Sequence, residues 1–206
     1  ERDCAMLETV PVDVVFAPEP AAMYSPDAQS WVDAGDITNG LCGAHRPGHF
    51  RGVTTVVAKL FNIVKPHVAV FGEKDFQQLR AIQKMVRDLN FDLEIMPVPI
   101  VRENDGLAMS SRNAYLSCAE REDALALSLA LRAAQEKHRT GACCAEEIVF
   151  AATRVLKRTK GVEIQYVEAV DAETLASHPS LERPILIAIA ARVGKTRLID
   201  NVVLQP

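Results

Sequence analysis

Over residues 68–102 the chain reads VAVFG, then EKDFQQLRAIQKMVRDLN, then FDLEIMPVPIVR: a short apolar row, a helix-length amphipathic stretch and a second apolar row. No other feature limits the fold so strongly. Strand–helix–strand with nearly all-apolar strands predicts a parallel pair in a sheet covered on both faces, because antiparallel half-buried strands alternate apolar with polar residues. The glycine at 72 and the charged triplet Glu73, Lys74 and Asp75 fall at the carboxyl end of the first strand, where such sheets bind ligands. A helix N-terminus carries partial positive charge, so Asp75 suits it and Lys74 does not. That misplaced cation calls for a counter-charge.

The remaining periodicities fill in the plan. VDVVFAP (12–18) predicts a β-branched strand closed by proline. Residues 19–49 form a long stretch rich in Pro, Gly, Asp and Ser, which is functional or a small subdomain. RGVTTVVAKLFNIVK has apolar residues at helical spacing. After residue 102 the character changes. Two amphipathic helices, ending near Gly141 and Gly161, precede VEIQYVEAVD, RPILIAIAARV and TRLIDNVVL, three strands read as antiparallel neighbours. The fold class is therefore α/β, a parallel sheet over 1–101 followed by a smaller α+β domain over 102–206. Three strands are few for a doubly wound domain, so strands ahead of the first residue are expected.

A net charge of −4 over 206 residues gives no general attraction to nucleic acid or membrane surfaces. No apolar run approaches the roughly 20 residues a membrane helix needs. Five scattered cysteines without a CxxC pair read as reduced thiols of a cytoplasmic protein. The chain starts at Glu1 with what looks like the tail of a helix, and reads as a fragment or a processed chain.

Three clusters carry candidate chemistry. In FGEKD, Gly72 lets backbone approach a ligand and Lys74 adds mobile positive charge for a phosphate; the bland alternative is a solvated first turn. In DGLAMSSRN, Ser110, Ser111 and Arg112 offer hydroxyl and guanidinium donors that could close over a triphosphate, or merely cap a helix. In AHRPGHFRGV, Arg46, His49 and Arg51 suit an anion-facing loop, or a structural loop with a histidine at a helix start. Pro47 and Gly48 keep His45 and His49 off one helical face, so no metal site is read there. ARVGKT (191–196) ends like a P-loop but lies between two strands and has Ile189 where the first glycine belongs.

Taken together and in order, RPGHFRGV, FGEKDFQQL, DGLAMSSRN and the tail TRLIDN resemble the pantothenate synthetases, the pantoate–β-alanine ligases. The resemblance covers nearly the whole chain. It implies the Rossmann-like fold of class I synthetases and nucleotidyltransferases, and ATP-dependent condensation of pantoate with β-alanine through a pantoyl adenylate, releasing AMP and pyrophosphate. ATP and Mg2+ are the implied cofactors, and a cytoplasmic homodimer the implied form. Gly72, Glu73, Lys74 and Asp75 would line the ATP site, and Val101 would meet adenine through its backbone. Met109, Ser110, Ser111 and Arg112 would form the mobile loop that corresponds to KMSKS in the synthetases. Gln78 would hydrogen-bond pantoate, with Arg46 and His49 near the triphosphate. Lys74, His49, Ser110, Ser111 and Arg112 are thus the expected catalytic residues.

Two departures stand out. The family's HxGH-type motif belongs ahead of Glu1, which makes the chain read as the C-terminal three-quarters of a longer enzyme. Cys42 also stands where glutamate is implied before GAxRPGHF. The alternatives are a catalytically silent fragment that binds nucleotide or pairs with a partner chain, and another nucleotidyltransferase of the same superfamily.

Overall fold

The computed structural model describes residues 2–206. They fall into two compact units, one ending at Trp31 and the other running Val32–Pro206. The first holds helix α1 (Arg2–Leu7) and a single turn, α2 (Pro20–Met23), with Pro20 in a first-turn position where its missing N–H is not needed. Residues 12–18, expected as a strand, form none. Among the described residues no strand runs beside them, and Val12, Val14, Val15 and Phe16 are exposed. Their β-branched composition therefore has no ladder to act through.

The second unit begins with a 3-10 turn (Gly35–Thr38), α3 (Leu41–His45) and α4 (His49–Val64). Next come β1 (Val68–Gly72), a 3-10 turn (Glu73–Asp75), α5 (Phe76–Asp88) and β2 (Glu94–Val98). A 3-10 turn (Ser111–Tyr115), α6 (Cys118–Arg139), α7 (Ala145–Leu156), β3 (Val162–Asp171), β4 (Ile185–Val193) and β5 (Thr196–Leu204) complete it.

β1 and β2 pair in parallel, from Val68 opposite Glu94 to Gly72 opposite Val98, as the strand–helix–strand pattern requires. The expectation of cover on both faces is not met. Ala69, Phe71 and Ile95 pack on Val57 and Phe61 of α4 and on Ile82 and Met85 of α5. Side chains alternate across a strand, so two helices on one face bury only every second residue. Val68, Val70 and Met96, on the other face, are 42%, 60% and 46% exposed.

The second sheet is antiparallel in the order β3–β4–β5, with β4 central. Its two faces feed two cores. Ile185, Ile187 and Ile189 join Leu127 of α6 and Ile148 and Leu156 of α7. Leu186, Ala188 and Ala190 join Leu41, Phe50 and Ala81. This second core holds the antiparallel sheet against α3 and the starts of α4 and α5, where the candidate site residues lie.

Local signals set the element ends. Ser117 caps α6 in a reciprocal box: its hydroxyl accepts from the Glu120 N–H at 3.3 Å, and Glu120 Oε2 accepts from the Ser117 N–H at 2.9 Å. ARVGKT is the β4–β5 hairpin, with Gly194 at φ 56°. A Cβ there would lie 1.7 Å from Glu120 Oε1, so the hairpin and the α6 cap share one constraint.

Candidate active site

Lys74 sits in the 3-10 turn that leaves β1, one residue before the N-cap of α5. Asp75 at that N-cap makes no side-chain cap bond. Burial lowers the Lys74 pKa most; Asp75 and Asp200 oppose that effect, and Arg112 adds to it. Lys74 is thus held partly out of water beside two carboxylates rather than displayed to solvent.

A cavity of about 60 Å3 opens at this turn and is lined by Lys74, Asp75 and Gln78 together with Arg46, His49 and Arg112. All six were expected from the sequence. Segments near residues 46, 74 and 112 converge because α4, α5 and the 3-10 turn over Ser111–Tyr115 all meet the antiparallel sheet there. The approach is close at α3, where a Cβ on Gly43 would lie 1.6 Å from the Thr38 carbonyl oxygen. Gln77 reinforces it from α5, its amide donating to the Ile37 and Gly40 carbonyls at 3.1 and 2.9 Å.

His49 opens α4, and Arg46 Nη1 lies 2.9 Å from its Nε2. Burial first, then the Arg46 guanidinium, holds the imidazole below its usual pKa, with Asp75 pulling the other way. Arg46 Nη1 accordingly donates to an unprotonated Nε2, which leaves the ring proton on Nδ1.

Ser110 lines a small adjoining recess with Lys74 and Asp200. Its hydroxyl also accepts from the Arg112 N–H at 3.3 Å, so it caps the 3-10 turn as the plainer reading had it. The base of the loop is braced. Arg121 of α6 pairs with Glu103 and Asp105 at 2.6 Å each, and Asn113 donates to Glu103 at 2.7 Å. Gly72, Glu73, Val101, Met109 and Ser111 do not line the cavity. Glu73 faces a different groove, and Val101 and Met109 are exposed neighbours joined by a 2.9 Å bond from the Met109 N–H to the Val101 carbonyl.

The cavity contains residues that motif reading passed over. Tyr166 on β3 and Arg197 on β5 meet Cys42 on its floor. Cys42 Sγ lies 3.2 Å from the Tyr166 hydroxyl, and Arg197 Nη2 donates to the same sulfur at 3.2 Å. Arg197 Nε donates to Gln165 at 2.8 Å. Burial first, then the neighbouring Cys42, pushes the Tyr166 hydroxyl pKa up, which keeps its proton in place. Cys42, singled out only as a departure, is therefore a wall of the candidate site. Asp200 and Asn201 also line the cavity, and TRLIDN carried their only sequence signal: two consecutive polar residues within a strand.

Charge distinguishes this cavity from the larger groove, about 830 Å3, beside α5 and α6. In that groove Arg102 pairs with Asp200 at 2.7 Å, and Arg183 with Asp171 and Glu173 at 3.4 and 3.2 Å. In the Lys74 cavity, among the described residues, Arg46, Lys74, Arg112 and Arg197 have no carboxylate at ion-pair distance. Asp200 is already engaged by Arg102. A concentration of unpaired cations in a recess is arranged for anionic ligands.

No group of three or more His, Cys, Asp or Glu side chains among the described residues could hold a metal ion. No helix among them is long and apolar enough to cross a membrane. All five cysteines are free.

The chain is similar to known proteins over nearly its whole length. The family model for pantoate-beta-alanine ligase matches residues 1–203. The pantothenate synthetase of Thermotoga petrophila is 52% identical over 204 residues, which cover 99% of this chain and 73% of that protein. The crystal structure of pantothenate synthetase from Thermus thermophilus has a TM-score of 0.92 and 42% identity, with 100% of this chain and 74% of that one covered. The pantoate-beta-alanine ligase of Francisella tularensis, complexed with beta-gamma ATP and beta-alanine, has a TM-score of 0.76 and 31% identity, covering 98% of this chain and 69% of that one.

Proposed function

The chain belongs to the pantoate–β-alanine ligase family, and on that premise we propose that the cationic cavity at Lys74 is where pantoate is activated by ATP. The enzyme joins pantoate to β-alanine at the expense of ATP. A non-catalytic nucleotide-binding module and a different nucleotidyltransferase are not favoured.

In the first step a pantoate carboxylate oxygen attacks the α-phosphorus. The bond to the bridging oxygen breaks, and pyrophosphate leaves with both electrons. In the second, the β-alanine amine attacks the acyl carbon of the pantoyl adenylate; the acyl C–O bond breaks, AMP leaves and the amine gives up its proton as the amide forms. The first barrier is dominated by charge on phosphate oxygens, and the second by charge on the acyl oxygen and the departing phosphate; preorganised cations lower such barriers most effectively in a recess that excludes water.

Lys74 meets the phosphates, and its ligand answers why a cation stands before a helix N-terminus. Arg112, Ser110 and Ser111 close on the leaving pyrophosphate, while His49 and Arg46 bear on the triphosphate. Gln78, one helical turn beyond Lys74, bonds pantoate. Asp75 lines the cavity with Lys74; Gly72, Glu73, Val101 and Met109 lie outside it and would meet the rest of the nucleotide, with the Val101 backbone against adenine. Mg2+ would arrive with the phosphates, since it keeps several waters and needs only one or two carboxylates; of the two that line the cavity Asp200 is engaged by Arg102, which leaves Asp75, and the ion would draw charge from the phosphates when bound. The nucleotide half then ends near residue 101, the smaller α+β half begins at 102, and the enzyme works as a cytoplasmic homodimer.

The single observation that carries this reading is the set of cations around one recess, Arg46, Lys74, Arg112 and Arg197, with no carboxylate at ion-pair distance among the described residues. Pantoate labelled with 18O in its carboxylate tests it. One labelled oxygen should appear in AMP by mass spectrometry, since the attacking oxygen stays on phosphorus when the acyl C–O bond breaks. Unlabelled AMP would exclude the adenylate.

A further inference from the structure

Both segments assigned above to ATP depend on one dipeptide in β5. Asn201 Nδ2 donates to the Glu73 carbonyl at 3.0 Å and to the Lys74 carbonyl at 2.9 Å. It thereby grips two consecutive peptide groups of the turn that carries Lys74. Asp200 accepts from Arg102 Nη1 and Nη2 at 2.7 and 3.0 Å, and Arg102 Nη1 also donates to the Gly106 carbonyl at 3.2 Å. Arg102 lies at the foot of the arm that leads to Ser110 and Arg112, bridged across it to Ala108. The Asn201 N–H donates to Asp200 Oδ1 at 2.8 Å, which joins the two halves of the network.

We propose that Asp200 and Asn201 are positioning residues for adenylation: Asn201 fixes the turn that presents Lys74, and Asp200, through Arg102, fixes the arm that presents Ser110 and Arg112. The inference rests on the role given to Lys74 above. Neither residue needs to touch substrate. A 3-10 turn of three residues between a strand and a helix has few bonds of its own, so its carbonyls need an external donor to hold one geometry. Asparagine supplies two N–H donors from one amide, whereas aspartate or leucine at the same position would supply none. Asp200 is buried, with a side chain 2% exposed, and its bidentate pair leaves Arg102 a single orientation. Two sites that must act on the same phosphates are thereby set from one strand, which keeps their spacing independent of loop motion.

The ionisation of Lys74 reads the turn directly, because burial holds its pKa down while Asp75 and Asp200 push up and Arg112 pushes down. His49, Arg46 and Arg197 line the same cavity. Lysines of the full chain are carried through 13C reductive methylation, and Lys74 is followed by NMR across pH, assigned by its loss in Lys74→Arg. Asn201→Ala should release the turn and shift the Lys74 titration upward, toward an ordinary lysine. Asn201→Ser, with one short donor left, should shift it less. Thr140→Ala, which loses a hydroxyl bond to the Glu136 carbonyl at the far end of α6, should not move it. An unmoved Lys74 in both Asn201 variants overturns the proposal; if Asn201→Ala does not fold, Asn201→Ser decides alone. ATP–pyrophosphate exchange is scored separately, so loss of the ligase reading would not be mistaken for loss of this one.

Discussion

His49 shows how a site residue feeds back on stability. Its pKa is lowered in the folded state, chiefly by burial and by Arg46. The unfolded chain takes up a proton at the ordinary histidine value of about 6.5, while the folded chain resists it. The stabilising contribution is therefore complete above that value and is lost as pH falls toward the lowered folded one. Thermal melts between about pH 5 and 7.5 should show a shallower acid-side loss for His49→Gln than for the parent. Equal slopes would mean that His49 titrates as it does in the unfolded chain. Asp200 gives a second expectation at this scale. Its removal in Asp200→Ala strands Arg102, whose side chain is 32% exposed, and should cost about 2–3 kcal/mol by urea denaturation. Arg46, His49, Lys74, Gln78 and Arg112 were legible because each falls within a contiguous motif. Tyr166 fell in no motif, and TRLIDN held Arg197, Asp200 and Asn201 without showing what they do, since each meets its partner across roughly a hundred residues or more of chain and pairing of that kind leaves no local pattern.

Among the elements, the coupling of the α6 cap to the β4–β5 hairpin is the most exposed to test. Ser117→Ala removes one reciprocal capping bond and should cost about 1 kcal/mol. Gly194→Ala forces a Cβ onto Glu120 and a side chain into a left-handed backbone, and should cost about 2 kcal/mol. Both act through Glu120, so the double variant should lose less than the sum, and strict additivity would break the proposed link. Helical and strand periods predicted α4, α5, α6, α7 and all five strands because each also found a packing partner. Residues 12–18 have a strand's composition but no neighbour to pair with among the described residues. The β1 and β2 rows, apolar throughout, could not reveal that one face would lie open at Val68, Val70 and Met96.

For the whole molecule, the candidate site forms where the antiparallel sheet meets the β1–α5 turn. β4 buries alternate residues in two cores, one with α6 and α7 and one with α3, α4 and α5. That arrangement sets Arg197, Asp200 and Asn201 against Lys74. The fold class followed from pattern alone, and the resemblance supplied the segments proposed above for ATP. The cavity floor required three dimensions. The role proposed for Lys74, within its cluster of cations, is to lower the barrier to adenylation. Pantoate-dependent ATP–pyrophosphate exchange without β-alanine measures that step by itself. Exchange by the parent chain is expected, with a loss of at least about 100-fold in Lys74→Ala at an unchanged melting temperature. Exchange by Lys74→Ala at the parent rate would contradict that role.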